Sequence, residues 1–282
     1  MDGAQSKIHL VLTMHVHFLD PYHERTGPLH RLDARIKLLL VLGFILTSAL
    51  LASGAWPAYL LLLGLLVSAE ILSDLKPGFF LKRSLLAIPF VLAAAPLLVW
   101  AGPPYLAKWT LGGLPLRVSA AGLERFLSIG FKSWLSLQAA VLLTATTPFP
   151  DLLLALRAIR VPRVLVAVVG LMWRYLFVLI DEVFRMARAR AARSGAGETL
   201  HGRAGGSLRW RAGVTGGMAG GLFLRSYDRG ERTYLAMLSR GYDGEVRSLP
   251  PPPLGRSDVL ALCAAGGLYV CILILGWAFG RG

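Results

Sequence analysis

Residues 38–72 read LLLVLGFILTSALLASGAWPAYLLLLGLLVSAEIL, and Glu70 is the only charged residue among them. One helix of this length would be about 52 Å long, whereas the hydrocarbon core of a bilayer is about 30 Å thick. The segment SGAWP at 53–57 interrupts the run, because glycine and proline break helices and tryptophan favours the membrane interface. We therefore predict two short membrane helices, at 38–51 and 57–72, joined by an outward-facing turn.

The whole chain has the composition of a membrane protein. Of its 282 residues, 55% are hydrophobic and 16% are charged, and the formal net charge is +14. Soluble proteins carry about a quarter charged residues, so this composition excludes an ordinary soluble enzyme, a secreted disulfide scaffold and a disordered tail. Further apolar runs predict spans at 84–101, 126–147 and 259–279. The expected fold is an all-α integral membrane protein with about five transmembrane helices, in which Lys132 snorkels to the interface.

Basic residues are concentrated between the fourth and fifth predicted spans. Residues 147–256 contain 17 arginines, no lysine and eight acidic residues, which is a local net charge of +9. Such a block could bind nucleic acid, but its place between spans is explained first by the positive-inside rule. We therefore predict four segments, with the N-terminus inside, the C-terminus outside and an external loop at 102–125. They are a cytoplasmic segment 1–37, a four-helix transmembrane region 38–147, a cytoplasmic region of long helices 148–256 and a transmembrane helix 257–282.

The cytoplasmic region contains two long predicted helices, at 164–193 and, after a glycine-rich start, up to residue 240. The first is long enough to span a membrane. However, Arg174 lies within it, and a crossing would place the arginine-rich part outside, so we expect it to lie at the interface or to pack on protein. In the second helix, Gly213, Gly217 and Gly221 recur every fourth residue. This stripe predicts a close helix crossing, because small residues let two backbones approach.

Motifs of catalysis and metal binding are absent from the sequence. It has no Walker A loop, no GxSxG elbow and no HExxH pair. Five histidines lie near the N-terminus, at 9, 15, 17, 23 and 30, and we interpret them as part of a polar segment, with a weak divalent-metal contact as the alternative. Cys263 and Cys271 lie about 12 Å apart along one helix, beyond disulfide reach, and are predicted to be small packing residues. We expect no catalytic residue, no metal site and no cofactor on this chain.

Two short motifs place an arginine between small residues where a long helix ends. They are Ala192-Arg193-Ser194 and Ser239-Arg240-Gly241. A cation in the last turn is favoured by the helix dipole alone, so one such site would carry no functional meaning. Two of them, on successive helices, indicate a pair of plugs whose guanidinium forks bind carboxylates and carbonyls of another protein.

Several motifs resemble the transmembrane T component of energy-coupling factor transporters, in the cobalt-type branch called CbiQ. The resemblance covers nearly the whole chain. Beside the two arginine motifs it rests on PLHRLDARIKL at 28–38, TTP at 146–148, LRAIRVP at 156–162, the stretch from WRY at 173–175 to DE at 181–182, and RGYDG at 240–244. Ser194 and Ser239 depart from the family's usual Ala-Arg-Gly pattern, and each keeps a small side chain.

The resemblance implies a non-catalytic coupling subunit in the bacterial cytoplasmic membrane. Its long helices would dock through Arg193 and Arg240 onto two ATP-binding-cassette ATPases, which bind ATP and Mg²⁺. Its membrane helices would hold a substrate-binding CbiM-like S component, with or without a small CbiN-like subunit. The helices would also contact membrane lipid, and no nucleic acid is expected as a partner. The branch implies cobalt as the cargo, with nickel or a vitamin as alternatives. Two other classes stay open: a membrane enzyme acting on lipid or prenyl groups, and a secondary carrier.

Overall fold

The computed structural model describes residues 27–74, 83–96, 105–111, 114–193, 207–244 and 253–279, together with residues 78 and 98. The chain divides into two compact units. We call Met1–Ala158 with Pro251–Gly282 the membrane unit, and Ile159–Pro250 the two-helix unit. Each unit is described by itself below.

The described elements are helices, apart from one short hairpin. In chain order they are α1 (Pro28–Arg31), α2 (Ala34–Leu50), α3 (Trp56–Leu72), a 3-10 turn (Leu85–Ala87), α4 (Ile88–Ala93), β1 (Tyr105–Leu111), β2 (Leu114–Ser119), α5 (Ala120–Thr146), α6 (Phe149–Ala158), α7 (Arg163–Arg193), α8 (Leu208–Leu238) and α9 (Arg256–Phe279). The helical membrane fold class is therefore confirmed.

In the membrane unit, α2 is the central helix and contacts α5, α6 and α9. The core forms where α2, α3, α5 and α9 meet, and its buried side chains are Phe44, Leu51, Ala55, Ala58, Tyr59, Leu62, Leu66, Leu135, Ala139 and Ile272. The Tyr269 hydroxyl donates to the Leu40 carbonyl at 2.9 Å and ties α9 to α2. Outward-facing leucines such as Leu46 and Leu60 are 61% and 65% exposed. Helices that are apolar on all sides are typical of a lipid environment.

The predicted break in the first apolar run is present, since α2 ends at Leu50 and α3 begins at Trp56. Gly54 forms the turn with a φ of 85°, which favours glycine. Its N–H donates to the Ser128 hydroxyl of α5 at 3.2 Å. The carboxylate of Glu124 occupies the space that a side chain at position 54 would need. The turn is therefore fixed against α5 by polar contacts.

Lys132 of α5 contacts the end of a neighbouring helix, and its predicted snorkelling to the interface stays a prediction. Its ammonium donates to the backbone carbonyls of Leu51 and, at 3.4 Å, Ala49, which lie at the carboxyl end of α2. It also lies 5.9 Å from the centre of the Tyr59 ring. The last carbonyls of a helix have no partner within that helix, and in an apolar surrounding a nearby cation satisfies them. This lysine therefore caps a neighbouring helix.

The predicted third span is not one continuous helix in the described residues. A 3-10 turn at Leu85–Ala87 precedes α4, which ends at Ala93 and is followed by a turn at 94–96. Pro96 explains this end, because proline disfavours a helical conformation of the preceding residue and cannot donate to the carbonyl four residues back.

Part of the predicted external loop at 102–125 is a hairpin. Strands β1 and β2 pair antiparallel, with Leu111 opposite Leu114 and Trp109 opposite Leu116. The sequence carried a signal for it: two glycines at 112–113 separate segments of alternating polarity, as in a tight hairpin. Helix α5 then begins at Ala120, six residues before the predicted start at Phe126.

By length and composition, α5, α7 and α9 are able to cross a membrane, and α3 is a shorter apolar helix. The five predicted spans are a different set of helices from these three. The prediction includes α2, α3 and the segment around α4, and it leaves out α7. The count and the four predicted segments stay predictions. The 31 residues of α7 correspond to about 46 Å, and none of them is buried in the two-helix unit.

Candidate functional site

The candidate coupling site is built on α7 and α8, which run antiparallel in the two-helix unit. The Tyr175 hydroxyl and the Thr233 hydroxyl are 3.0 Å apart. Further along, the Glu182 carboxylate accepts hydrogen bonds from Arg225 of α8 and from Arg185 of its own helix. Residues later in α7 thus lie beside residues earlier in α8, which defines the antiparallel arrangement.

The first arginine motif ends α7. Arg193 is the last residue of the helix, and both it and Ala192 are exposed. No ion pair or hydrogen bond of the Arg193 side chain is present within the described residues. Ser194, the third member of the motif, lies outside them. Among the described residues, nothing therefore occupies the guanidinium of Arg193.

The second motif ends α8. Ser239 is the C-cap, and the Gly241 N–H donates to the Leu238 carbonyl at 3.0 Å. Gly241 has a φ of 78°, the left-handed conformation that commonly terminates helices. Ser239, Arg240 and Gly241 are all exposed. The glycine thus turns the chain away and leaves Arg240 at the tip.

The structure does not bring the two arginines together. Arg193 and Trp210 line the same cleft, so Arg193 lies near the start of α8. Arg240 follows the other end of α8, and the 30 residues from Trp210 to Arg240 correspond to about 45 Å of helix. The two motifs therefore lie at opposite ends of the helix pair, as two separate docking points.

The glycine stripe is open within the part of the chain that the structure describes. A Cβ atom added at Gly213, Gly217 or Gly221 would have no described atom within 4 Å, apart from its chain neighbours and the nearby turns of its own helix. The predicted close crossing is thus not seen among the described residues of the two-helix unit. Its role in a contact with another molecule stays a prediction.

A cleft of about 630 Å³ lies between α7 and α8. Its charged lining consists of Glu182, Arg185, Arg190, Arg193 and Arg225. The hydrogen bonds donated by Arg185 and then by Arg225 hold the pKa of the Glu182 carboxyl below its usual value. With one carboxylate and four guanidinium groups, the cleft is strongly cationic.

The sequence reasoning missed a contact between two of the segments that carry the resemblance. Lys37, from the segment 28–38, is 6% exposed. Its ammonium donates to the carbonyl of Thr146 at 3.1 Å and to that of His30 at 3.2 Å. Lys37 thereby ties α1 and the start of α2 to the end of α5. The sequence gives no signal for this pairing, because its partners are backbone atoms.

Histidines and cysteines form no metal site in the described ranges, where no group of three His, Cys, Asp or Glu residues could hold a metal ion. His9, His15, His17 and His23 lie outside the described residues. Cys263 and Cys271 are free and exposed on α9, so the packing role predicted for them is not seen within the described membrane unit.

Comparisons with known proteins agree with this architecture. The family model CbiQ, described as cobalt transport protein, matches residues 25–251. The energy-coupling factor transporter transmembrane protein EcfT of Brevibacillus brevis is 28% identical over 263 residues, which cover 88% of this chain and 93% of that protein. A protein of Methanocorpusculum labreanum assigned as a fused cobalt transport protein, CbiMQ, is 28% identical over 250 residues, 86% of this chain and 39% of that protein.

A third relative, the nickel permease LarQ of Lactiplantibacillus plantarum, is 34% identical over 158 residues, which cover 56% of this chain and 53% of that protein. These three relatives are named as transport components. The family model covers most of the chain, including both arginine-bearing helix ends and the segments that meet at Lys37. The chain therefore belongs to the CbiQ family of cobalt transport proteins.

Proposed function

We propose that the chain is the non-catalytic transmembrane coupling subunit of an ATP-driven importer of the energy-coupling factor type, with cobalt ions as its cargo. The observation that carries the proposal is the exposure of Arg193 and Arg240 at opposite ends of an antiparallel helix pair, in a chain of the cobalt transport family. On this proposal the chain binds no cofactor, and ATP and Mg²⁺ belong to its partners.

The proposed partners are two ATP-binding-cassette ATPases and a substrate-binding membrane subunit of the CbiM kind, with or without a small CbiN-like subunit. Two separate cationic helix tips suit two ATPases, one at each end of the pair. The relative assigned as CbiMQ supports a CbiM-like partner, because it is assigned as a fusion and this chain matches only 39% of its length.

Each arginine tip has the chemistry of a docking plug. The guanidinium group is planar and donates in a fork that fits a carboxylate, and it stays charged at every physiological pH. Its neighbours Ala192, Ser239 and Gly241 are small, so a helix tip can enter a groove without a bulky side chain in the way. Relative movement of the ATPases would then pull on both ends of the α7–α8 pair.

For the cellular location we propose the bacterial cytoplasmic membrane, with α7 and α8 along its cytoplasmic face. Helix α7 has an apolar half, but Arg174 is exposed within it. An arginine at the centre of a spanning helix costs about 2.5–3.5 kcal/mol on insertion scales. A crossing would also place Arg185, Arg188, Arg190 and Arg193 outside, against the positive-inside rule.

Charge reversal at the tips tests the proposal. Arg193→Glu and Arg240→Glu should each reduce ATP-dependent uptake of cobalt by at least about tenfold, because a carboxylate would face the carboxylates of the ATPase groove. The measurement is uptake of radioactive cobalt into proteoliposomes that contain the whole transporter.

Arg188→Glu is the matched control, since Arg188 is exposed on the same helix but lies away from its tip. Normal uptake in this control, together with loss in both tip variants, supports the proposal. Normal uptake in both tip variants contradicts it.

Nickel is the second candidate cargo, because the relative with 34% identity over 158 residues is named as a nickel permease. Competition distinguishes the two metals: an excess of unlabelled Ni²⁺ should leave cobalt uptake unchanged in a cobalt importer and abolish it in a nickel importer. The alternative of an enzyme acting on lipid or prenyl groups receives no support from the three relatives, which are transport components.

A further inference from the structure

The cleft between α7 and α8 has more positive charge than the described acidic residues of the two-helix unit neutralise. Arg185 and Arg225 both bind Glu182. Arg190 and Arg193 line the same cleft, and neither side chain has an ion pair within the described ranges. Arg190 is half-buried and lies in the wall of the cleft. Since the proposed function assigns Arg193 to an ATPase, Arg190 is the guanidinium group of the cleft that is available for an anion, and Arg185 becomes a second one if the anion replaces Glu182 as its partner.

Apolar side chains share the lining with these arginines. Met186 of α7 and Val214, Met218 and Trp210 of α8 form the rest of the wall. The volume of about 630 Å³ lies within the range of about 300–1,000 Å³ that is typical of small-molecule sites. A site of this kind fits a ligand that carries an anionic group next to a hydrocarbon part.

The apolar half of α7 indicates where such a ligand would come from. Val164, Val168 and Met172 are 63%, 47% and 65% exposed in the two-helix unit. An exposed apolar helix that continues into an arginine-rich half is typical of a segment at the membrane surface, where anionic headgroups concentrate. Arginine also suits a phosphate, because it donates two parallel hydrogen bonds to it.

We propose that this cleft binds the phosphate of an anionic phospholipid, with Arg190 and Arg185 as ligands and with Trp210, Met186 and Met218 against the start of the acyl chains. The site goes beyond the coupling role, and it rests on the proposed function only for the location of α7 at the cytoplasmic face. Glu182 competes with the lipid, because it holds Arg185 and Arg225.

Lipid binding to the full-length chain in detergent tests the proposal. The chain is titrated with phosphatidylglycerol or phosphatidylcholine, and the bound lipid is counted by native mass spectrometry. We expect phosphatidylglycerol to bind more tightly than phosphatidylcholine. The double variant Arg185→Gln/Arg190→Gln should weaken phosphatidylglycerol binding by roughly tenfold, from the loss of two cationic contacts.

Two further variants keep the test sharp. Arg188→Gln/Arg209→Gln removes the same charge from residues that do not line the cleft, and its affinity should stay within about twofold of the parent chain. Glu182→Gln should tighten phosphatidylglycerol binding, because it releases Arg185 and Arg225. This gain would be measurable even if the double cleft variant failed to fold.

Four results would overturn the proposal. They are equal binding of the two lipids, equal loss in the cleft and control variants, displacement of the lipid by millimolar inorganic phosphate, and loss of ATPase co-purification in the cleft variant with unchanged lipid binding. The last result would assign the cleft to a protein partner. The tip variants at Arg193 and Arg240 are scored by cobalt uptake, so failure of the coupling role is visible separately from failure of this site.

Discussion

Lys37 and Lys132 illustrate how single residues hold the membrane unit together. Lys37 lies near the start of α2 and donates to Thr146 at the end of α5. Lys132 lies within α5 and donates to Leu51 and Ala49 at the end of α2. The two helices are antiparallel neighbours, and each lysine satisfies terminal carbonyls of the other helix. Such carbonyls are costly when they are left without partners in an apolar surrounding.

Removal of one ammonium should therefore destabilise the membrane unit. We expect Lys132→Met to cost about 1–3 kcal/mol, the usual range for hydrogen bonds to a charged group and for a polar atom left unpaired. A lower apparent melting temperature of the variant in detergent would show this loss of stability. Arg188→Met is the control, because it also removes one cation but from an exposed position of α7. Equal melting temperatures of Lys132→Met and the parent chain would contradict this role.

Gly54 gives a second prediction at the scale of a residue. Gly54→Ala places a Cβ at a φ of 85° and against the Glu124 carboxylate, so the left-handed conformation alone should cost about 1–2 kcal/mol. Gly64→Ala in α3 is the matched control, since its Cβ would have no described atom within 4 Å and alanine favours a helix by about 0.5–1 kcal/mol. Melting temperatures should fall for the first variant and stay or rise for the second. A melting temperature that falls for Gly64→Ala and not for Gly54→Ala would contradict the fixed conformation of the turn at Gly54.

At the scale of elements, α7 combines properties of a spanning helix and of a surface helix. It is long and apolar enough to cross a membrane, yet it ends in an arginine-rich half and none of it is buried in the two-helix unit. Length and composition cannot separate the two locations, because both bury an apolar stretch in lipid. The two locations differ in whether the two ends of α7 lie on the same side of the membrane or on opposite sides.

Cysteine labelling distinguishes the two locations of α7. Arg163→Cys and Ala192→Cys place single thiols about 44 Å apart along the helix, in a chain whose exposed Cys263 and Cys271 are replaced by alanine. If α7 lies along the cytoplasmic face, a membrane-impermeant maleimide should modify both positions from the cytoplasmic side and neither from outside. Modification of the two positions from opposite sides would show a crossing and would refute the proposed coupling role.

For the whole molecule, the distance between the arginine tips predicts how the complex assembles. Because the tips lie at opposite ends of the α7–α8 pair, each should hold one ATPase. Loss of one tip should therefore release one of the two ATPases, and loss of both tips should release both.

The retained ATPase measures this effect. Arg193→Glu and Arg240→Glu should each reduce co-purification in part, and the double variant should abolish it. Arg188→Glu should retain the full amount. A double variant that retains as much ATPase as either single variant would show that the two tips do not act as two separate docking points.

Much of the fold could be predicted from the sequence because its signals are local. The length of the apolar runs predicted α2, α3 and α9, and the SGAWP segment predicted the break between the first two, confirmed by a helix end at Leu50 and a helix start at Trp56. The ends of α7 and α8 also followed from glycine and charge patterns. Both arginine tips were therefore visible in the sequence, whereas the cationic cleft was not.

Contacts between distant residues were decided by the tertiary structure alone. The bonds of Lys37 to Thr146 and of Lys132 to Leu51 join residues 109 and 81 positions apart. The glycine stripe predicted a crossing, yet no described neighbour lies against it. Local sequence sets where a helix begins and ends, since those signals act within one or two turns. The packing of the whole unit decides which helix ends meet and which arginines share a cleft. A backbone carbonyl is the same for every residue type, so the sequence does not show which carbonyl a lysine will bind.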